Sequence, residues 1–414
     1  MRYDTIIIGG GLSGLCCGIA LAESGKKCLI ISQGQSTLNF SSGSLEFAGN
    51  DTETSFETLL AQLPENHPYH KIGEQALFML RAQAAGLFER AGIEMHADIR
   101  HNHWRVTPMG LLKPTWMSMD EMAHFEEENL PKKVLVAGIK GFLDFNVDFV
   151  ASGLASKGIQ ARSCEVSVAE IEQLRENASE FRSANLARVL EGYAIDRLAD
   201  AINAQLKDEE YILLPAIFGL ESATPAYRIL SKLDRPAAFV PTMSPSVPGI
   251  RLQQLLKKRF QALGGTFISG DSVISAEVQN GKVMSVTSER HSDSKFSADK
   301  FIFACGSFFS TGLRASKERI YEPIVDLDME YKGEHGDWFN PNIYGEQPYM
   351  SFGVKTDNQF HVYLKDEVLK NAYATGQMLA GNSPLKTPCM GGISAISGLH
   401  VANLIINEQE DERQ

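Results

Sequence analysis

Apolar positions follow distinct patterns along the chain, and each pattern predicts a different kind of element. Residues 3–8 (YDTIII) form a β-branched, apolar run, as expected of a strand buried on both faces of a parallel sheet. Residues 12–24 (LSGLCCGIALAES) carry apolar side chains at helical spacing and stop at Gly25, a residue suited to a helix C-terminus. Residues 27–32 (KCLIIS) read as a second buried strand. Strand, glycine turn, helix and strand make one βαβ unit.

Between residues 51 and 245 the pattern changes. Amphipathic helices are predicted at 58–63 (TLLAQL), 74–92 (EQALFMLRAQAAGLFERAG) and 186–206 (LARVLEGYAIDRLADAINAQL), with a short strand at 133–139 (KVLVAGI) among loops rich in Pro and Gly. This block reads as an inserted α+β cap, closed by VPTMSPSVPGIRL at 240–252. The chain then returns to its first domain. A helix covers 251–265 and a strand 266–273, and two alternating runs meet at Asn280-Gly281, the strongest short hairpin signal. A buried strand at 299–307 (DKFIFACGS) ends at Gly306. The pattern divides into a main domain in three parts (1–50, 246–320 and 370–407), the cap at 51–245, a second excursion at 321–369, and a charged tail at 408–414 predicted to be disordered.

The first turn carries the chemistry. Gly9-x-Gly11-x-x-Gly14 follows a strand and opens a helix. Gly9 permits the tight turn, Gly11 lets a phosphate approach the backbone, and Gly14 lets helix and strand pack closely. The helix start offers unpaired N–H groups and a positive dipole end, so a phosphate-bearing cofactor is expected there. In this motif the second strand usually ends in Asp or Glu, which holds the adenosine ribose of a dinucleotide. Here that position is Ser32. The phosphate end of the site is kept and the usual ribose anchor is not, which favours FMN over NAD or ordinary FAD. FAD held by other residues is the alternative.

Three further segments have the form and order expected around a flavin. FIFACG ends at Gly306, and NAYATGQMLAG places Gly376 beside the expected phosphate-ribityl chain. Gly391 and Gly392 open the last helix, whose start would face the ring edge that gains charge on reduction. The polar turn NFSSGSLEF (39–47) is where the chain would pass the ring, with Ser41, Ser42, Gly43 and Ser44 as candidate contacts. The predicted fold class is therefore α/β, a Rossmann-like flavin-binding domain of the type built from two dinucleotide-binding domains, with an inserted α+β cap. Arg228 and Arg251 are the candidate clamps for a phosphorylated substrate, since a guanidinium matches phosphate geometry. His361 is the one histidine weighed as a base; no base is assigned.

Charge and cysteine content narrow the partners. A net charge of −12 argues against nucleic acid or anionic lipid as the main partner, while 43% hydrophobic residues support a sizeable core. The six cysteines show neither CxxC spacing nor the tight run of an iron–sulfur site, so no metal is expected and the thiols read as reduced and structural, in a cytosolic protein. No secretory signal is visible, and no apolar stretch approaches the roughly 18 residues of a membrane helix.

Four stretches together, YDTIIIGGGLSGLCCGIAL, GQSTLNFSSGSLEF, PSVPGIRLQQLLKKRF and YATGQMLAGNSPLKTPCMGGISAISGLHVAN, resemble the B-type subunit of the bacterial anaerobic glycerol-3-phosphate dehydrogenase, over essentially the whole chain. The resemblance implies an FMN flavoprotein that pairs with an FAD-containing A-type subunit to oxidise glycerol 3-phosphate to dihydroxyacetone phosphate. It further implies an iron–sulfur C-type subunit that anchors the pair to the cytoplasmic face of the inner membrane. Electrons then pass to quinone and on to fumarate or nitrate. Two other readings stay open: a stand-alone FAD-dependent oxidase or dehydrogenase of a small hydroxy substrate, and a non-catalytic electron-relay subunit.

Overall fold

The computed structural model describes residues 2–175, 181–384 and 386–411. The chain opens with β1 (Arg2–Ile8), α1 (Leu12–Glu23) and β2 (Cys28–Ser32), the βαβ unit read from the sequence. Its strands run parallel, with Ile6 opposite Leu29 and Ile7 opposite Ile30. These four side chains are fully buried, and each such burial contributes about 1.5–3 kcal/mol.

The insert follows. It holds α2 (Phe56–Ala61), α3 (Pro68–Ile72), α4 (Glu74–Arg90), β4 (Met95–Ala97), β5 (His103–Val106), β6 (Leu112–Thr115), β7 (Met117–Met119) and β8 (His124–Phe125), and it pairs with β3 (Ser44–Leu45), just before it in the chain. These strands make two small antiparallel sheets, β3-β7-β4 and β6-β5-β8. Next come β9 (Lys133–Ile139), α5 (Val147–Ala155), β10 (Gln160–Val166), α6 (Ala169–Leu174), α7 (Ser183–Val189), α8 (Tyr193–Asn203), β11 (Tyr211–Pro215), α9 (Thr224–Leu230) and β12 (Ala237–Val240). Four of these strands pair as an all-parallel sheet in the order β10-β9-β11-β12. Of the four, the sequence pattern predicts only β9. The helix expected at 186–206 is two helices, because Gly192 adopts φ +60 and ψ −132, a conformation that breaks the helix between Leu190 and Tyr193.

The return to the main domain is α10 (Val247–Ala262), β13 (Thr266–Ser269), β14 (Val273–Gln279), β15 (Lys282–Ser288) and β16 (Lys295–Phe303). Asn280 and Gly281 have φ of 51 and 69, the two positive angles that a two-residue hairpin turn needs. The second excursion carries the paired strands β17 (Arg314–Ala315) with β18 (Ile320–Tyr321), and β19 (Met329–Glu330) with β20 (Gly353–Val354). The chain closes with β21 (His361–Leu364), β22 (Glu367–Ala374) and α11 (Met390–Asp411). Strands β13-β2-β1-β16-β22 run parallel through the centre. Helix α11 lies against α1 so closely that a Cβ added at Gly398 would sit 2.5 Å from Ser13 O.

Two expectations change here. Helix α11 contains Met390–Glu408, a stretch long and apolar enough to cross a membrane by length and composition, although the apolar pattern of the sequence predicts none. Its apolar residues Ile393, Ile396, Leu399 and Val401 are fully buried in the fold, which accounts for that composition. The helix also continues to Asp411, into the tail expected to be disordered; residues 412–414 lie outside the described residues.

Candidate functional site

The turn after β1 is tight because its glycines leave no alternative. Gly9 has φ +119, and a Cβ there would lie 2.2 Å from Ala304 O at the exit of β16. A Cβ at Gly14 would lie 2.0 Å from Gly9 O. Gly11 differs: it is the N-cap of α1, no side chain caps the helix, and an added Cβ would meet nothing nearer than the Ser36 Cβ at 3.9 Å. The start of α1 is thus uncapped and faces open space, the condition for an anion to reach its N–H groups.

Two more helix starts reach the same loop. Ser246, the N-cap of α10, donates its N–H to Asn39 O at 2.9 Å and its hydroxyl to Ser41 O, and a Cβ at Gly249 would meet Leu38 O at 2.1 Å. At the start of α11, Gly392 donates its N–H to Glu46 O at 2.7 Å, and Gly391 fits against Leu45. Residues 36–46 therefore run between the positive ends of α1, α10 and α11. Gly391 and Gly392 let the helix touch β3; they do not themselves form a hollow. Gly43, with φ +77, donates its N–H to Ser41 Oγ at 3.2 Å, and Ser42 beside it is half-buried. Among the described residues, Asn39 Oδ1 on this loop and the Tyr69 hydroxyl beside Gly392 are buried without a hydrogen-bond partner. An uncapped helix start for a phosphate, with two unpaired polar groups for a heterocycle's edge, fits a flavin.

The other expected contacts have mixed placements. Ser32 closes β2 with its hydroxyl donated to Gly34 O at 3.1 Å, and its carbonyl accepts from Gly270 N–H at 2.8 Å. The Phe267 ring covers this corner: a Cβ at Gly10 would come within 2.6 Å of it and 2.8 Å of Ser32 Oγ. Gly306, at φ +82, sits where Ser310 folds back to donate to Cys305 O at 3.0 Å. Gly376 is buried where β22 meets α1 and α11, its N–H held by Ser397 Oγ at 2.8 Å. It packs on Ser13, whose hydroxyl bonds Thr375 at 2.7 Å. Both glycines serve chain packing around the site.

The substrate arginines are corrected. Arg251 is buried in an ion pair with Glu121 and donates to Phe218 O and Gly219 O at 2.9 and 2.7 Å, so no ligand can reach it. Arg228 pairs with Asp196 at 2.8 Å between α8 and α9, apart from the three helix starts. His361 bonds Asp357 at 3.0 Å and stacks on Tyr373, whose hydroxyl bonds Glu408.

Polar clusters that carry no signal in the sequence lie beside β3. Glu46 takes Arg105 at 3.1 Å and Lys113 at 2.9 Å. Burial opposes its ionisation, but these two cations hold its carboxyl below the ordinary value. His67 accepts the Tyr69 N–H at Nδ1 and faces the Cys389 thiol, which donates to Asn382 Oδ1 at 3.0 Å. Burial pushes that thiol up to about 12, so it stays protonated. His96 and His124 stack and His103 meets both edge-on, with ring centroids 4.0–5.7 Å apart. Among the described residues, no three His, Cys, Asp or Glu side chains converge as a metal site. Histidines separated by 7 and 21 positions carry no periodic signal; only the strand pairing brings them together.

Buried histidines set an acid limit. Burial lowers His67 and His400 from 6.5 to about 4, and burial with the neighbouring rings lowers His103 to about 3. The unfolded chain binds these protons more readily, so the stability they contribute is complete above about pH 6.5 and is lost as pH falls toward 4. Unfolding free energies from denaturant titrations at pH 7, 6 and 5 are expected to fall at up to about 1.4 kcal/mol per pH unit for each histidine. His103→Gln is expected to lessen that slope.

A family model described as an FAD binding domain matches residues 4–389. The chain is also similar to proteins named as the B-type subunit of anaerobic glycerol-3-phosphate dehydrogenase. That of Yersinia enterocolitica is 41% identical over 422 residues, with 99% of each chain covered. That of Pectobacterium atrosepticum is 37% identical over 418 residues, again with 99% of each covered. That of Glaesserella parasuis is 35% identical over 427 residues, covering 98% of this chain and 100% of the other.

Proposed function

Because the chain belongs to the family of B-type subunits of anaerobic glycerol-3-phosphate dehydrogenase, with the fold of an FAD binding domain, we propose that it is a flavoprotein subunit of a quinone-linked glycerol-3-phosphate dehydrogenase. Its cofactor in this reading is FMN. The observation that carries the proposal is the convergence of three helix starts on residues 36–46, with α1 left uncapped. That arrangement suits one terminal phosphate and a ring that gains negative charge on reduction. Ser32, and the Phe267 ring that covers its corner, support FMN over FAD, because the usual ribose anchor is replaced by a hydroxyl already bonded to Gly34 O.

A bound flavin supplies acceptance of two electrons from an alcohol carbon. The chain's own groups do the rest. The α1 N–H groups behind Gly11 would hold the phosphate, residues 39–45 would line the ring, and the positive end of α11 would favour charge at the ring's edge. The substrate is glycerol 3-phosphate, oxidised to dihydroxyacetone phosphate by this chain together with an FAD-containing A-type subunit. An iron–sulfur C-type subunit takes the electrons on to quinone and tethers the assembly to the cytoplasmic face of the inner membrane.

The test is to denature the purified chain and separate the released flavin by chromatography. FMN at close to one per chain is expected. FAD would overturn the role given to Ser32, and a colourless protein would overturn the flavin reading. Co-purification with the two partner subunits, and dye reduction by glycerol 3-phosphate only in the assembled complex, are the matching results for partners and substrate.

A further inference from the structure

Strand β3 starts a polar path that leaves the site through the fold. Ser44 on β3 bonds the Ser118 hydroxyl at 3.0 Å, and Ser118 bonds His103 Nε2 at 2.8 Å. Ser44, Ser118 and His96 also stand in one row across the sheet β3-β7-β4, because Ser118 is the register partner of both others. Ser118 and His103 have no solvent exposure, and Ser44 has 5%. On the far side His96 lies edge-on to His103, with ring centroids 4.8 Å apart. Its side chain is 34% exposed, and its Nε2 lies 3.7 Å from the exposed carboxylate of Glu126. The path runs from the loop among the three helix starts to the exposed carboxylate of Glu126.

Two nitrogens on this path lack a hydrogen bond. Among the described residues, His103 Nδ1 and His96 Nε2 are both buried and without a hydrogen bond. Leaving such an atom unpaired costs about 1–3 kcal/mol. Both nitrogens are therefore open to giving or taking a proton. His124, stacked on His96 at 4.0 Å, is bonded through Nδ1 to Met122 O. Arg105 lies near His103, and Asp120 near His124. Burial and these neighbours keep His103 neutral, so its ring can accept a proton at one nitrogen and release one at the other without storing charge.

We propose that Ser44, Ser118, His103 and His96 form the proton exit of the flavin site, ending in solvent beside Glu126. The proposal rests on the flavin reading above. Oxidation of the alcohol releases two electrons and two protons, and a fully reduced flavin takes up both pairs. An iron–sulfur acceptor then removes the electrons one at a time and takes no proton. The two protons are left at the site, and hydrogen-bonded groups can carry them to solvent. These four residues act on proton transfer and do not touch the reacting carbon.

The experiment uses the flavin-loaded chain, reduced and then mixed with ferricyanide, an electron-only oxidant, in weakly buffered solution containing a pH dye. In the parent chain, proton release is expected to keep pace with the flavin absorbance and to slow in deuterium oxide. In Ser118→Ala, release is expected to fall behind by about tenfold or more and to recover when imidazole is added. His96→Gln is expected to give a smaller lag. Flavin content and thermal midpoint of each variant establish that the fold and the cofactor are intact. A parent chain that binds no flavin would sink the flavin reading together with this one. A flavin-loaded Ser118→Ala chain that releases protons in step with the absorbance, or a parent chain without an isotope effect, would overturn the relay alone.

Discussion

A Gly11→Ala chain is expected to fold like the parent and lose flavin affinity by about tenfold or more, roughly 1.4 kcal/mol for each factor of ten. The new methyl meets nothing nearer than the Ser36 Cβ at 3.9 Å, so the protein has no reason to distort. It stands in front of the uncapped α1 N–H groups, where a phosphate must come close to bond them. Gly14→Ala, by contrast, places a Cβ 2.0 Å from Gly9 O, and α1 must lift from β1 to admit it. Overpacking of this kind costs about 1–3 kcal/mol. Gly9→Ala adds a positive φ to a 2.2 Å approach to Ala304 O. Titrating flavin fluorescence against each variant, alongside urea midpoints, separates the two effects. Gly11→Ala shifts the dissociation constant and leaves the midpoint, while Gly14→Ala shifts both. A Gly11→Ala chain that binds flavin as tightly as the parent would remove α1 from the cofactor site.

The main domain was legible because its signals are local. YDTIII and KCLIIS are continuous apolar runs, and GGGLSG can only be a tight turn into a helix. The Asn280-Gly281 hairpin follows from two residues that tolerate positive φ. The insert was less legible, because a four-stranded parallel sheet is assembled from runs as short as Ala237–Val240, which resemble any buried loop. The site divides in the same way. The turn glycines announce themselves, whereas the meeting of α10 and α11 with residues 36–46 depends on contacts between segments some 200 and 350 residues apart. Arginine is a sound guess for a phosphate clamp, but the sequence does not show that Glu121 waits for Arg251 inside the fold. The row Ser44, Ser118, His96 likewise exists only through strand register.

Arg251→Met is expected to lower the stability of the folded chain by about 3–5 kcal/mol, because it leaves the Glu121 carboxylate buried with its partner gone. The loss has two further sources: the carbonyls of Phe218 and Gly219 each lose a donor, and the guanidinium's contact with Met119 Sδ at 3.5 Å disappears. Restoring charge balance tests the cause. Arg251→Met combined with Glu121→Leu is expected to recover much of the loss, since apolar residues of similar volume replace a buried ion pair at little net cost. Arg251→Lys is expected to fall between the two, because one ammonium cannot reach both carbonyls and the carboxylate in the geometry that the planar guanidinium provides. Urea midpoints of the three variants give the order directly. Kinetics of the assembled enzyme then separate a structural arginine from a substrate clamp. If Arg251 only ties α10 to the insert, the folded fraction of each variant keeps the parent KM for glycerol 3-phosphate. A KM raised tenfold in the stable double variant would put the guanidinium back at the substrate and contradict its burial.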